Sequence, residues 1–250
     1  MNFNTSERMN MARKTRQYPR WAAIGLVVAC FGPLAGQAQP VLVFHQFTGL
    51  YLTIPDGDPL GVSYTANLSF PATQNEIVDL RVNLELSGGS NGDLYVQLTH
   101  GTGYSVLLNR VGRRADDLLG YDDAGMNVTF ADGASQGDVH QYRLALNGDH
   151  NTPLNGPLTG VWAPDGRSTD PANTLDTDPR TQGLSSLVGT DPNGEWTLYL
   201  LDAESGDQAV LESWGLTLTV VPEPGETTMI AAFALAGLAG WRRCGRRRGP

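Results

Sequence analysis

Short runs of alternating apolar and polar residues fill the chain between residues 41 and 221. In residues 77–86, Leu or Val occupies every second position from Leu80 onward, with charged or amide side chains between them. Residues 93–99 repeat this period of two, which is typical of a strand with one buried face. Because the turn-forming residues 88–92 separate the two runs, the pattern predicts that they pair with each other.

The remaining runs predict an all-β fold. Residues 195–202 and 210–220 border a polar loop and predict a closing hairpin, with Trp196 and Trp214 in the core. Residues 147–194 are rich in Pro, Asp and Thr, which predicts one long surface excursion. With no persistent helical period, we expect a single β-sandwich of jelly-roll type. The other strand candidates are residues 41–54, 62–70, 104–109, 126–130 and 139–146.

The N-terminal end has the pattern of a cleavable signal helix. A basic segment (8–20) precedes a short apolar segment (21–31), and small residues follow up to Ala38. This order predicts that residues 1–38 are a secretory signal peptide, removed by signal peptidase. Two alternatives stay open: a buried N-terminal helix, and lipidation of Cys30, since residues 27–30 resemble a lipobox.

The C-terminal end, residues 222–250, predicts a short apolar helix. Residues 229–241 are apolar and rich in Ala and Gly, and a cluster of Arg that begins with Arg242 and Arg243 follows them. By the positive-inside rule the Arg cluster stays on the cytoplasmic side. An apolar run this short predicts transient membrane contact, although an ordinary tail anchor remains an alternative.

This end also resembles a known sorting signal. The motif Pro222-Glu223-Pro224, the apolar helix and the Arg cluster follow one another as in the PEP-CTERM signal of Gram-negative bacteria. The resemblance implies recognition by an exosortase-type enzyme and removal of the tail. It also implies export to the cell envelope, the outer surface or the extracellular matrix.

Charge and cysteine usage narrow the range of functions. Of the 17 Lys and Arg residues, ten lie in the two ends, whereas only three of the 26 acidic residues do. The middle of the chain is therefore strongly acidic and repels phosphate backbones, which excludes nucleic acid as a partner. Cys30 and Cys244 both lie in the ends expected to be removed, so the mature chain has neither a disulfide nor a catalytic thiolate.

A second resemblance spans residues 53–220. It is to the P domain (P/Homo B), the β-sandwich module that follows the catalytic domain of kexin- and furin-like subtilases. Residues 86–91 differ from the His-Thr type segment that is usual in the family. The matching pieces are Ile54-Pro55-Asp56, residues 77–82, residues 92–98, Gly101-Thr102 to Leu108, residues 193–198, Asp202, Gly206-Asp207 and residues 213–216.

This resemblance implies a module for residues 41–221 that packs against a protease and stabilises it. Because the protease domain is not in this chain, we expect an exported, surface-sorted, non-catalytic binding or structural module with a subtilase or an extracellular polymer as partner. The alternative is an accessory module for a separately encoded subtilisin/kexin-like serine endopeptidase.

Serine hydrolysis has little support in the sequence. His100-Gly101-Thr102 mimics a subtilase motif, but the chain contains neither a Gly-x-Ser-x-Gly elbow nor a Gly-Thr-Ser run. A serine nucleophile needs a base and an orienting carboxylate held on a scaffold. We therefore predict that the chain is not an enzyme. His100 is expected to be a solvated turn residue, and His140 and His150 lack a partner pattern.

Cation binding is the other candidate chemistry. Ca²⁺ takes oxygen ligands from carboxylates on Gly-containing loops, but the spacing here is not that of an EF-hand. The alternative is that these aspartates solvate and cap turns. Trp162, on a predicted loop, is expected to be partly exposed as a sugar- or protein-contacting platform. The predicted calcium ligands are Asp93, Asp117, Asp122, Asp123 and Asp132.

Overall fold

The computed structural model describes residues 39–221, so the predicted signal peptide and sorting segment lie outside the described residues. In this part of the chain nine strands form two sheets, one with the order β1-β9-β3-β6-β7 and one with the order β2-β8-β4-β5. The strands are β1 (Val41–Thr53), β2 (Val62–Leu68), β3 (Glu76–Gly88), β4 (Leu94–His100), β5 (Gly103–Asn109), β6 (Met126–Phe130), β7 (Leu158–Trp162), β8 (Gly194–Asp202) and β9 (Ala209–Val221).

The hydrophobic core lies between the two sheets. Every second side chain is buried in β3 from Leu80 to Leu86 and along the whole of β4, as the alternating pattern predicts. Both strands contribute to one cluster that also contains the fully buried Trp196 and Trp214. The two sheets therefore pack face to face, and the prediction of an all-β protein is confirmed.

Two predicted strand pairings are wrong. β3 pairs with β9 and β6, whereas β4 pairs with β8 and β5 in the other sheet. The connection from β3 to β4 contains Gly88 and Gly89 at positive φ and a 3₁₀ turn at Asn91–Asp93, and it carries the chain across to the second sheet. The predicted β8–β9 hairpin is likewise a crossing between sheets. A period of two identifies the buried face of a strand but not its partner.

Residues 139–146, predicted as a strand, form a 3₁₀ helix (Val139–Gln141) and the helix α1 (Tyr142–Asn147). The side chain of Asp138 accepts a hydrogen bond from the N–H of His140, which caps the first turn. At the other end, Gly148 at φ 80° donates its N–H to Leu144. The cap and the left-handed glycine favour a helix over the weak alternation of this segment.

The predicted surface excursion 147–194 contributes to the core. β7 pairs in parallel with β6, and Leu184 and Leu187 of a 3₁₀ helix (Leu184–Leu187) are buried. Trp162 ends β7 with its side chain fully buried, so its predicted role as an exposed platform is wrong. None of the helices in residues 39–221 is long and apolar enough to cross a membrane.

Candidate functional site

Three predicted calcium ligands are engaged by arginine. Asp117 pairs with Arg114 at 3.3 Å, and Arg143 pairs with both Asp122 and Asp123. Asp123 also accepts hydrogen bonds of 2.6 Å from the Tyr142 hydroxyl and from the N–H of Leu154. Burial alone would raise the pKa of Asp123, but these hydrogen bonds outweigh it and lower that pKa. All the donors that surround Asp123 belong to the protein itself.

Asp132 caps a helix rather than joining the other aspartates. Its carboxylate accepts the N–H groups of Leu184 at 2.8 Å and Ser185 at 2.6 Å. It borders an open groove of about 540 Å³ that Asp79 and Arg81 also line. Within residues 39–221, no three Asp, Glu, His or Cys side chains are gathered as in a preformed metal site. The calcium site proposed from the sequence stays a prediction.

Asp93 lies at one end of the sandwich beside a buried arginine. Arg110 directly follows β5, has φ 52° and is 1% exposed. Its Nε donates to the carbonyl oxygen of Gly92 at 2.6 Å, and its Nη1 contacts Glu204 at 3.0 Å. The Nη2 atom lies 3.6 Å from Asp93 and makes no hydrogen bond. Arg110 therefore compensates only part of the negative charge around it.

The most unusual residue at this end is Asp202. It is the last residue of β8 and is fully buried. Neither of its carboxylate oxygens makes a hydrogen bond of normal distance and angle. A buried carboxylate without a partner is costly, so this residue needs a physical explanation.

Four more carboxylates lie at this end of the sandwich. Asp56, after β1, accepts the N–H of Gly206 at 3.1 Å, and Asp207, before β9, accepts the hydroxyl of Ser90 at 3.0 Å. With Asp93 and Glu204, they lie at the end of the sandwich where β1 and β8 end and where β4 and β9 begin. We call Asp56, Asp93, Asp202, Glu204, Asp207 and Arg110 the strand-end cluster.

The electrostatics of the strand-end cluster favour a proton or a cation. Burial, with further contributions from Asp93 and Asp56, raises the pKa of Asp202 to about 7, although the N–H of Glu204 and Arg110 offset part of the effect. Burial also raises the pKa of Asp93, and Arg110 offsets only part of that increase. Asp123 shows the opposite behaviour, because its charge is satisfied.

Sequence reasoning did not select Asp202 as a ligand, although one signal was present. Trp196, Leu198 and Leu200 occupy the inward positions of β8, and Asp202 is the next residue on that face. A charged residue at an inward position of a strand departs from the alternating pattern. That departure could have identified the site.

His100, predicted to be a solvated turn residue, is only 4% exposed, so that prediction is wrong. Its ring stacks on Trp196 at a centroid distance of 4.0 Å. Nδ1 lies 2.8 Å from the carbonyl oxygen of Glu195, and Nε2 lies 2.6 Å from that of Asp191. Since carbonyl oxygens only accept hydrogen bonds, both contacts are hydrogen bonds only when the ring carries two protons. The ring thus links the end of β4 to the start of β8 and to the segment just before it.

His140 forms a buried pair that resembles two thirds of a catalytic triad. Its Nδ1 lies 2.7 Å from Asp165, which also pairs with Arg167 at 3.1 Å. Its Nε2, however, faces the carbonyl oxygen of Arg113 at 2.9 Å. In a triad this nitrogen accepts the proton of a hydroxyl nucleophile. The Nε2 atom of His140 therefore faces a backbone carbonyl oxygen instead of a hydroxyl nucleophile.

Comparisons with solved structures give distant similarities. No family model and no curated protein matches the chain. The crystal structure of the serine protease of Aeromonas sobria in complex with its chaperone is similar, with a TM-score of 0.39 and 14% identity. The structure of that protease alone gives 0.38 and 13%. Each similarity covers 73% of this chain and 27% of the solved chain, so this chain spans about a quarter of that length.

Proposed function

We propose that this chain is an exported, surface-sorted β-sandwich module of the P-domain type, which binds a partner and catalyses no reaction. The second candidate is an accessory module that stabilises a separately encoded subtilisin/kexin-like serine endopeptidase. Both rest on the resemblance of residues 53–220 to the P domain and of residues 222–250 to the PEP-CTERM signal.

The observation that carries the proposal is the order of the strands. With β7 set aside, four strands (β1-β9-β3-β6) form one sheet and four (β2-β8-β4-β5) form the other. This supports a double-sheet jelly roll of eight strands. The residues of the resemblance lie at defining points of that fold: Asp93 immediately before β4, and Trp196 and Trp214 buried in β8 and β9.

Two of the four histidines, His100 and His140, support a role without catalysis. Both ring nitrogens of His100 and of His140 are directed at oxygen atoms that only accept hydrogen bonds. His150 contacts the hydroxyl of Tyr121 through Nδ1 at 2.6 Å. A general base needs a free nitrogen within reach of its nucleophile. We therefore expect no reaction with a fluorophosphonate probe of active-site serines, for which subtilisin serves as the positive control.

The test of export and sorting is the intact mass of the chain from membrane, surface and medium fractions of its host. We expect a species that begins near Gln39 and ends between residues 221 and 224, outside the inner membrane. Glu223→Ala is expected to retain the tail and stay in the inner membrane. Glu226→Ala removes a neighbouring carboxylate outside the motif and is expected to be processed normally. Equal processing of both variants would contradict the sorting proposal.

The accessory role is tested separately by mixing the purified chain with a co-encoded subtilase of its host. A binding module with another partner leaves the protease's melting temperature and activity unchanged. An accessory module raises one or both at a molar ratio near one. The result of the sorting experiment does not depend on this outcome, so the two proposals can fail independently.

A further inference from the structure

The strand-end cluster gathers carboxylates from both sheets at one end of the sandwich. β1 and β9 belong to the five-stranded sheet, and β4 and β8 belong to the four-stranded sheet. The backbone N–H of Ala203 donates to the carbonyl oxygen of Asp93 at 2.8 Å, which fixes the start of the β8–β9 connection against β4. A ligand that binds several of these carboxylates would link the two sheets.

Asp202 distinguishes this cluster from the other acidic groups of the described chain. Asp123, also buried, has donors on both carboxylate oxygens, whereas Asp202 accepts no hydrogen bond of normal distance and angle on either oxygen. An ionised carboxylate out of contact with water requires a proton, a donor or a cation. Its neighbours Asp93 and Asp56 add negative charge rather than compensating it.

Arginine does not complete the compensation. Arg110 contacts Glu204 and Asp93, and its Nη2 atom makes no hydrogen bond. Arg113 interacts with Glu204 as well, so the five carboxylates still outnumber the two guanidinium groups near them. The excess of negative charge, and a donor set made only of oxygen atoms, fit a hard divalent cation.

A cavity of about 230 Å³ borders one side of the cluster. Asp93, Glu204 and Ser205 line it, whereas Asp202 and Asp56 are not among its lining residues. The connection from Glu204 to Gln208 is exposed, but Glu204 contacts Arg110 and Asp207 accepts the hydroxyl of Ser90. Because no three ligands are preassembled in the described residues, binding requires side chains of the cluster to rotate.

From these observations we propose that the strand-end cluster binds Ca²⁺, with Asp202 as the buried ligand and Asp93 and Asp56 as its nearest partners. The ion takes the place of the missing hydrogen-bond donors of Asp202. It also joins β8 to the segments beside β1 and β4, and so stabilises the end of the sandwich at which the chain crosses between sheets.

The test measures Ca²⁺ binding to the full chain in detergent by equilibrium dialysis, and its melting temperature at about pH 8 in EDTA and in Ca²⁺. We expect Ca²⁺ at a hundred-fold excess over Kd to raise the melting temperature by about 5 to 10 °C. Asp202→Asn is expected to abolish this increase and, in EDTA, to melt above the wild type. Asp79→Asn, an exposed carboxylate on β3, is expected to keep the full increase.

Three results would overturn the proposal. The first is that the wild type binds no Ca²⁺ in dialysis, and the second is that Asp202→Asn keeps the full increase in melting temperature. Alternatively, acidification alone brings the wild type in EDTA to the melting temperature of Asp202→Asn while Ca²⁺ has no effect. In that last case a proton, not a metal, neutralises Asp202. If Asp202→Asn does not fold, Asp56→Asn provides the same comparison, since it removes a nearest partner on an exposed turn.

Discussion

Asp123 and Asp202 are both buried in this sandwich, but their surroundings differ completely. Asp123 accepts hydrogen bonds from Arg143, Tyr142 and the N–H of Leu154, and its pKa is lowered. Asp202 accepts none of normal geometry, and burial raises its pKa to about 7. At neutral pH the charge on Asp123 stabilises the fold, whereas a charge on Asp202 without a cation destabilises it.

The difference shows that burial of a carboxylate does not by itself reveal its role. Donors that belong to the protein make Asp123 part of the structure, and loss of Asp123 would leave the buried Arg143 with only the exposed Asp122 as a partner. The missing donors at Asp202 leave room for a proton or an external cation. The hydrogen bonds that each carboxylate accepts, rather than the number of acidic residues, distinguish the structural site from the candidate binding site.

The largest expected effect is the loss of Asp123. Asp123→Ala is expected to lower the free energy of unfolding by about 3 to 5 kcal/mol, since it leaves the Arg143 guanidinium buried without its main partner. Urea denaturation measures the change. Asp122→Ala removes the other partner of Arg143, but that side chain is 79% exposed, and we expect a loss of only about 1 kcal/mol or less. Equal losses would show that Asp123 is not the central acceptor.

The second effect is the pH dependence of stability in EDTA. A folded-state pKa of about 7 for Asp202 lies above the unfolded value of 3.8. The stabilisation from its proton is therefore complete below that unfolded value and is lost as pH rises towards the folded one. We expect a loss of roughly 2 to 3 kcal/mol between about pH 5 and pH 7, measured as the free energy of unfolding by urea denaturation at each pH.

Asp202→Asn tests the origin of that loss, because it removes the titrating group and should flatten the profile over this range. Asp123 has the opposite sign: its lowered pKa gives stability that is present above the unfolded value and is lost only at lower pH. A profile of Asp202→Asn that matches the wild type would assign the slope to another group.

The sequence predicted the buried faces of the strands much better than their partners. Residues 126–130 form β6 with the expected bounds, and the alternation in β3 and β4 marks their core positions correctly. The partners of β3 and β4 depend on a crossing between sheets at Gly88 and Gly89, which no local pattern encodes. For the same reason the sequence alone did not reveal that β7 adds to β6 in parallel.

The site was less predictable, because hydrogen bonds between distant residues decide it. Asp123 and Asp202 both occur among many aspartates of similar local sequence. Their different roles arise from Arg143 and Tyr142, which both reach Asp123 from α1, and from the absence of comparable side-chain donors to Asp202 within residues 39–221. His100 is similar, since its carbonyl partners lie more than ninety residues away along the chain.

The smallest expected effect concerns Asp132, an exposed aspartate that also has donors of its own. Its carboxylate accepts the N–H groups of Leu184 and Ser185 at the start of a 3₁₀ helix. Asp132→Ala is expected to lower the free energy of unfolding by about 1 kcal/mol, as loss of a helix cap does. Asp79→Ala, in the same groove, is expected to change it by less than about 0.5 kcal/mol. A loss near that of Asp123→Ala would mean that exposure of a hydrogen-bonded aspartate does not reduce the free energy lost on its removal. The difference between carboxylates with and without donors would then be independent of burial.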